Sequence, residues 1–435
     1  MRSIAVVLGT ARTPFGRLGG ALATLSAPTL AAVAMRAALE RSGVDATDVE
    51  HVVLGQVLQA GVGQAPVRQA LLKAGLAKTT TGETVNKVCA SGLLAAVCAA
   101  RLISDGDASV VLAGGMESMS NAPYLLPGVR KGYRLGHGVM QDAILQDGLT
   151  DAYLQLSMVG MGAKVAAEFG LSRAEQDAFA LASHERAAEA ARSGRLAAEI
   201  VPLHIVEKQL DRLWLPVLPQ IAVSQPLSAH QAPSEMQVPY ARYMPFETGD
   251  VPTRLIEYDE AVRADASLAA LAKLSALDIG GTVTAGNAPG LSDGAAALVL
   301  AHPDWAREHE LTPLAELIDH ATVAWDPPYL PLTPAFAAQR LLARHGLQAS
   351  DIAVWEINEA FAAVALIAAR ELGIAPDVMN RHGGAIACGH PLGASGARIL
   401  ASVVHQLRAR GGGWGIAAIC SGGGQGDAVL VRVRH

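Results

Sequence analysis

Aromatic residues are scarce: Phe, Trp and Tyr together make up 4% of 435 residues, so Ala, Val, Leu and Ile have to fill the core. Cysteine is scarce too. The four that occur (Cys89, Cys98, Cys388 and Cys420) have neither CxxC nor zinc-finger spacing. That excludes a disulfide scaffold and a metal finger, and it points to reduced thiols in a reducing, cytoplasmic compartment. No long block of one charge sign exists. With 34 basic against 40 acidic residues and a net charge of −6, neither nucleic acid nor an anionic membrane is expected as a partner. No apolar run is expected to reach the roughly 18 to 20 residues that cross a bilayer. The stretch Ile4 to Gly9 behind Arg2 is too short for a signal segment and reads as a buried first strand. What is abundant is apolar residue, 51%, and glycine, 44 against 22 prolines. Such a chain is neither disordered nor collagen-like. Its length corresponds to about three units of about 150 residues.

Both ends of the chain read as alternating strands and helices. Ile4–Leu8, His51–Val57 and Ser109–Ala113 are short apolar runs, as strands covered on both faces should be. Ala-rich helical stretches, Ala27–Arg41 and Ala90–Ile103, lie between them, which predicts a layered α/β architecture. The plan then repeats. Ser42-Gly-Val-Asp-Ala-Thr-Asp48 resembles His345-Gly-Leu-Gln-Ala-Ser-Asp351, and Cys89-Ala-Ser-Gly92 matches Gly393-Ala-Ser-Gly396, at offsets of 303 and 304 residues. Each of the latter opens a predicted helix followed by an apolar strand, Ser109–Ala113 or Trp414–Ile419. Two duplicated α/β halves are expected, with loops that can meet. Between them lie a predicted helix, Ser172–Ala191, and a proline-rich excursion, Glu207–Thr253, whose prolines forbid long helices and central strands. Because the excursion also carries Trp214, Tyr240, Tyr243 and Phe246, it is expected to pack on something.

Four places can carry chemistry. Cys89 sits where a short strand runs into a helix. There the dipole favours thiolate, although a small residue at a strand–helix join is the plain alternative. His390, in the glycine-rich turn 383–396, is either a presented base or a turn histidine bonded to backbone. The order required of a dinucleotide fingerprint is missing. Cys420 begins the run Cys-Ser-Gly-Gly-Gly, which can aim N–H groups at an oxyanion or make a hairpin turn. Asn358, after the strand Ile352–Ile357, is either a helix N-cap or an amide that holds a water or a carbonyl. Cys98 reads as core, Cys388 as a neighbour of His390 without a role, and His184, His302 and His309 as surface residues.

Together these segments resemble the thiolase family. Asn86-Lys-Val-Cys-Ala-Ser-Gly92, Asn358-Glu-Ala-Phe-Ala362, Gly389-His-Pro391 and Cys420-Ser-Gly422 stand in family order. So do Gly114-Gly-Met-Glu-Ser-Met-Ser120, Asp147-Gly-Leu-Thr-Asp-Ala152, the segment 171–180 and Thr282-Val-Thr-Ala-Gly-Asn-Ala288. The resemblance implies two duplicated halves forming an α/β/α/β/α core, residues 1–119 plus about 292–311 and residues 312–435. A loop domain, 120–291, is inserted in the first half.

It also implies an acyltransferase of fatty-acid metabolism that performs reversible Claisen chemistry on acyl-CoA and CoA. Coenzyme A would be a substrate; no cofactor, metal or membrane span is implied. Cys89 would carry the acyl group, His390 would take its proton, and Cys420 would serve as acid and base at the α-carbon. One oxyanion site would use His390 and a water held by Asn358, the other the N–H groups of Cys89 and Gly422. Leu149, Met158, Ala285, Pro289, Leu291 and Phe361 would line the CoA and acyl path. A homodimer or homotetramer is expected by similarity.

Three departures stand out. Pro289 replaces the usual serine of G-N-A-S-G, Ser157 precedes Met158 where short-chain members have histidine, and Met161-Gly-Ala-Lys164 replaces M-G-x-T-A-E. The competing expectations are a decarboxylating condensing relative, which would carry a second histidine in place of Asn358, and a noncatalytic acyl-CoA-binding homologue.

Overall fold

The computed structural model describes residues 4–206, 253–278 and 280–434. The aromatic residues of the proline-rich excursion therefore lie outside the described residues. The first half runs β1 (Ala5–Arg12), α1 (Ala27–Ser42), β2 (His51–Gly55), α2 (Pro66–Ala74), β3 (Thr81–Val85), α3 (Ser91–Asp105) and β4 (Val110–Ser118). A long excursion containing α4 (Met158–Glu168) and α5 (Arg173–Arg192) follows, and β5 (Ser292–Ala301) then returns to the sheet. The second half runs β6 (Ala315–Ala324), α6 (Thr333–His345), β7 (Ile352–Ile357), α7 (Ala362–Leu372), α8 (Leu392–Ala409), β8 (Gly413–Ser421) and β9 (Gln425–Val433).

The strands form one sheet in the order β7-β8-β9-β6-β1-β5-β4-β2-β3, with the two-residue strand Gly16–Arg17 on β5. Around β1 and β6, which pair antiparallel, the two sides match. β2–β4 and β7–β8 are parallel, whereas β4–β5 and β8–β9 are antiparallel. The predicted duplication is thus visible as repeated topology. It is incomplete at one place: β3 pairs with β2 over five residues, but its counterpart beside β7 is a single bridge, Trp355 to Met379.

Burial explains the layers. β1, β4 and β5 are buried along their whole length, so both faces need cover. One apolar cluster packs α1 and α2 on the outer face of the first half, through Val6, Leu8, Val52 and Leu112. A second packs α3 and α8 between the halves, through Val7, Val53, Val111, Val354, Ile419 and Val429. A third packs α6 and α7 on the outer face of the second half. The order is helix, first half of the sheet, helix, second half of the sheet, helix.

In the middle layer the two helices approach main chain to main chain. A Cβ on Gly92 would lie 2.7 Å from the carbonyl oxygen of Gly393, and one on Gly396 would overlap the backbone nitrogen of Leu93.

Several local expectations shift. α5 begins one residue later than expected, behind a capping box of Ser172 and Glu175. The window Val88–Asp105 is 18 residues long with mean hydropathy 1.6, long and apolar enough to cross a bilayer, which corrects the expectation that no such run exists. It covers the middle-layer helix α3, packed between the two halves of the sheet. His184 is buried rather than on the surface, and its Nδ1 accepts the backbone N–H of Arg263. Burial and Arg263 pull that imidazole down to about 4. Cys98 is half-buried on the edge of the middle cluster.

Candidate active site

The nucleophile candidate is aimed by a tight turn between β3 and α3. Val88 takes a left-handed backbone, φ 47°, an uncommon conformation for a β-branched residue that only surrounding bonds sustain. Those bonds are present. Asn86 Oδ1 accepts the Val88 N–H at 3.0 Å, and the Ser91 hydroxyl donates to the Val88 carbonyl at 2.6 Å. The same turn is tied to the second half. Ser421 donates to the Lys87 carbonyl, and the Lys87 ammonium lies 2.8 Å from the Asp427 carboxylate.

Cys420 and Gly422 sit at the end of β8, where glycines 422–424 make the hairpin turn into β9. The two readings of this glycine run coexist, because the backbone N–H groups of Gly422 and of Cys89 itself bear on the Cys89 sulfur and favour its charged form.

The expected thiolate is not what the environment favours. Burial pushes the Cys89 thiol up to about 12, and buried Glu117 adds to the rise, outweighing the two N–H bonds. Cys420, beside Cys89, is likewise lifted by burial well above the ordinary thiol value.

His390 is buried just before α8. Its Nδ1 is 2.6 Å from the Ser395 hydroxyl, and that hydroxyl donates its one proton to the Pro391 carbonyl at 3.0 Å. With the Ser395 proton on that carbonyl, Nδ1 carries the ring proton and Nε2 is a bare acceptor. Nε2 is buried and has no protein partner. Burial and the Arg398 charge pull the imidazole down to about 3, so it rests neutral. Its backbone N–H is held by the Ser292 hydroxyl at 3.1 Å.

Asn358 is not a helix cap. α7 begins at Ala362, with Phe361 at the cap position. Asn358 is fully buried, and both side-chain atoms, Oδ1 and Nδ2, lack partners. Buried amides are nearly always satisfied, so this one is poised for a partner that is not protein.

A cavity of about 330 Å³ brings Cys89, His390, Cys420 and Gly422 to one wall. All six residues expected along the acyl and CoA path, Leu149, Met158, Ala285, Pro289, Leu291 and Phe361, line it as well. Asn358 is not on that wall, and Cys388 is buried away from it with its thiol against the Gly389 carbonyl. A second cavity of about 430 Å³ shares Ala285, Ala288, Gly290 and Leu291 with the first and carries Arg17 and Arg263. Among the described residues no group of three His, Cys, Asp or Glu side chains could hold a metal.

Sequence reasoning missed three supports. Ser395 orients the imidazole, although its place in the repeated Ala-Ser-Gly was a signal. Ser292 holds the His390 backbone. Glu117 receives the N–H groups of Val57, Leu58 and Gly393 at 2.9–3.1 Å, clamping two loops at the site, and burial lifts its carboxyl to about 7.

Comparison with known proteins places the chain in a family. The thiolase N-terminal domain matches residues 5–214 and 221–304, and the thiolase C-terminal domain matches 311–433. An acetyl-CoA acetyltransferase of Cupriavidus necator is 42% identical over 428 residues, covering 98% of each chain. Proteins of the same name from Chromobacterium violaceum (355 residues, 81% of this chain and 80% of the relative) and Escherichia coli (356 residues, 81% and 80%) are each 42% identical. Matched from end to end on both duplicated halves, the chain belongs to the thiolase family.

Proposed function

We propose that this chain is an acetyl-CoA C-acyltransferase, cleaving 3-oxoacyl-CoA with CoA to acetyl-CoA and a shortened acyl-CoA, and running the reverse condensation. The observation that carries the reading is the shared wall: a thiol facing two N–H donors, an imidazole with a bare buried nitrogen, and a second thiol.

In the cleavage direction Cys89 Sγ adds to the C3 carbonyl carbon while His390 Nε2 takes the thiol proton. Because the thiol sits near 12 and the imidazole near 3, the resting pair is neutral, so proton transfer accompanies attack rather than preceding it. The C2–C3 bond breaks, its electrons pass to the enolate of acetyl-CoA, and Cys420 protonates that carbon. Cys89 is left as a thioester. CoA then gives its thiol proton to the Cys420 thiolate and attacks the acyl carbon, and Cys89 leaves with the proton held on His390.

Two oxygens gain charge on this route. The N–H groups of Cys89 and Gly422 suit the acyl oxygen. His390, with a water held by the Asn358 amide, suits the enolate. Removing one such donor costs about 2.7–4 kcal/mol in other enzymes. The apolar wall suits an aliphatic acyl tail, and the adjoining cavity with Arg17 and Arg263 suits the phosphates of CoA. Asn358 where decarboxylating relatives carry a second histidine supports thiolysis over that chemistry.

We also assign the protein to the cytoplasm, given four free thiols, and to a homodimer or homotetramer. The segment 124–156 exposes Tyr124, Leu135, Val139 and Tyr153, apolar side chains that a second copy of the chain would cover. Light scattering on the purified chain tests this, and a monomeric mass overturns it.

The decisive experiment mixes the protein with acetoacetyl-CoA and longer 3-oxoacyl thioesters, with and without CoA. It follows enolate absorbance and the intact mass. Turnover with an acyl adduct on Cys89 is expected. A folded protein without turnover or adduct at any chain length would leave only an acyl-CoA-binding role.

A further inference from the structure

A cleft of about 800 Å³ lies at the C-terminal end of α8. His390 and the catalytic cavity are at the other end. Eighteen residues at 1.5 Å each separate the two by about 27 Å, and they share no lining residue. Six basic side chains face the cleft: Arg195, Arg381, His382, His405, Arg408 and Arg410. Among the described residues no carboxylate lines it.

The bland explanation is that basic residues gather at a helix C-terminus to complement its dipole. That covers His405, Arg408 and Arg410. It does not cover Arg195, from the turn after α5, or Arg381 and His382, from the segment beside β7. Three separate stretches of chain bring like charges together, which is unfavourable unless something anionic joins them.

The internal counter-charge is already engaged. Glu199, behind the cleft, sits 3.3 Å from Arg12 Nε and accepts the Ser402 hydroxyl at 2.8 Å. None of the four arginines of the cleft has an acidic partner among the described residues. Arg410 donates to the Ala353 carbonyl. His405 Nε2 is taken by Thr10 at 2.6 Å, but His382 Nδ1 is buried with no partner. Both imidazoles are lowered chiefly by burial, so the arginines carry the charge.

We propose that this cleft binds the phosphate groups of a nucleotide-sized phosphorylated metabolite, at a site separate from the one that takes CoA. Guanidinium forks match phosphate oxygens in pairs. The volume exceeds that of an inorganic ion and falls within the usual range for small-molecule sites.

The test is calorimetric titration of the full chain with ATP and with pyrophosphate, at low and at physiological ionic strength, with and without saturating CoA. One equivalent of ATP should bind in the presence of CoA, and the Arg195→Ala/Arg408→Ala variant should weaken it by about tenfold or more. Both side chains are exposed, so the variant should fold and keep its turnover. Arg408→Lys should recover part of the binding. Absence of binding, affinity unchanged in the double variant, or loss of binding when CoA is added would each overturn the proposal. Displacement of ATP by single-stranded RNA at lower concentration would overturn the small-molecule assignment.

Discussion

The starts of α3 and α8 put an equivalent serine to two uses: Ser91 is the first residue of α3, whereas Ser395 is the fourth of α8. Ser91 and Ser395 stand at equivalent positions of the repeated Ala-Ser-Gly. Each donates to a carbonyl just upstream, Val88 or Pro391. Each also accepts from the chain before its helix: Ser91 from the Lys87 N–H at 2.8 Å, Ser395 from the His390 ring. In the first half that bond shapes the turn beneath the thiol. In the second it fixes a tautomer.

The supports differ as well. Cys89 follows a full strand, β3, whereas the segment before His390 lacks one. There the Asn380 side chain stands in for a neighbouring strand, accepting the Ile357 N–H and donating to the Ile357 carbonyl, both at 2.9 Å. It also donates to Glu359, which in turn receives Ser183 and the Ile386 N–H. The duplication kept the topology and replaced a backbone ladder with side-chain amide bonds.

Breaking the shared feature should have the largest effect. Gly396→Ala forces a methyl group onto the α3 backbone and should lower unfolding free energy by about 3 kcal/mol, the upper part of the overpacking range, in urea titration. Gly92→Ala should lose a comparable amount; a loss confined to one of the two would show that the helices do not meet as a symmetric pair. Next, Asn380→Ala removes the substitute strand and leaves Glu359 short of a donor. About 2 kcal/mol of stability should go, mostly from hydrogen bonds in the second half, with hydrogen exchange at Ile357 accelerated and exchange in β3 unchanged.

Ser395→Ala should leave the fold intact and reduce kcat by about 10- to 100-fold through imidazole misplacement, with KM little changed. Ser91→Ala, which touches no reacting ring, should affect stability more than rate. The smallest expected effect is on acid stability. His390 binds its proton only near pH 3, far below an unfolded histidine. As pH falls below about 6.5 the unfolded chain takes up a proton that the native chain refuses, so stability falls with it. Glu117 and Glu356, both lifted to about 7 by burial, act oppositely. The difference between wild type and His390→Gln isolates the imidazole: below about pH 6.5 the wild type should lose up to about 1.4 kcal/mol per pH unit relative to the variant.

The layered fold was legible because both ends of the chain carry period and repeat. Apolar runs at β1, β2 and β4, and the offset motifs at Asp48 and Asp351, are local signals that no tertiary contact overrides. The site was legible as residue types in order. What sequence could not supply was environment. A thiol before a helix reads as activated, yet burial decides its proton affinity. Asn358 reads as a cap because the chain does turn to helix nearby, three residues too late to need it. His184 reads as surface among charged neighbours, while packing of α5 against the segment around Arg263 hides it.

The meeting of Gly92 with the start of α8 has a consequence for how acyl preference can diverge. Cys89 and His390 are registered by one main chain resting on another, with no side chain at that contact to be exchanged. The cavity residues proposed to meet an acyl tail, among them Leu149, Met158 and Pro289, hang from the long excursion instead. Substitution there can widen, shorten or re-polarise the cavity while the distance between thiol and imidazole stays where the two backbones set it.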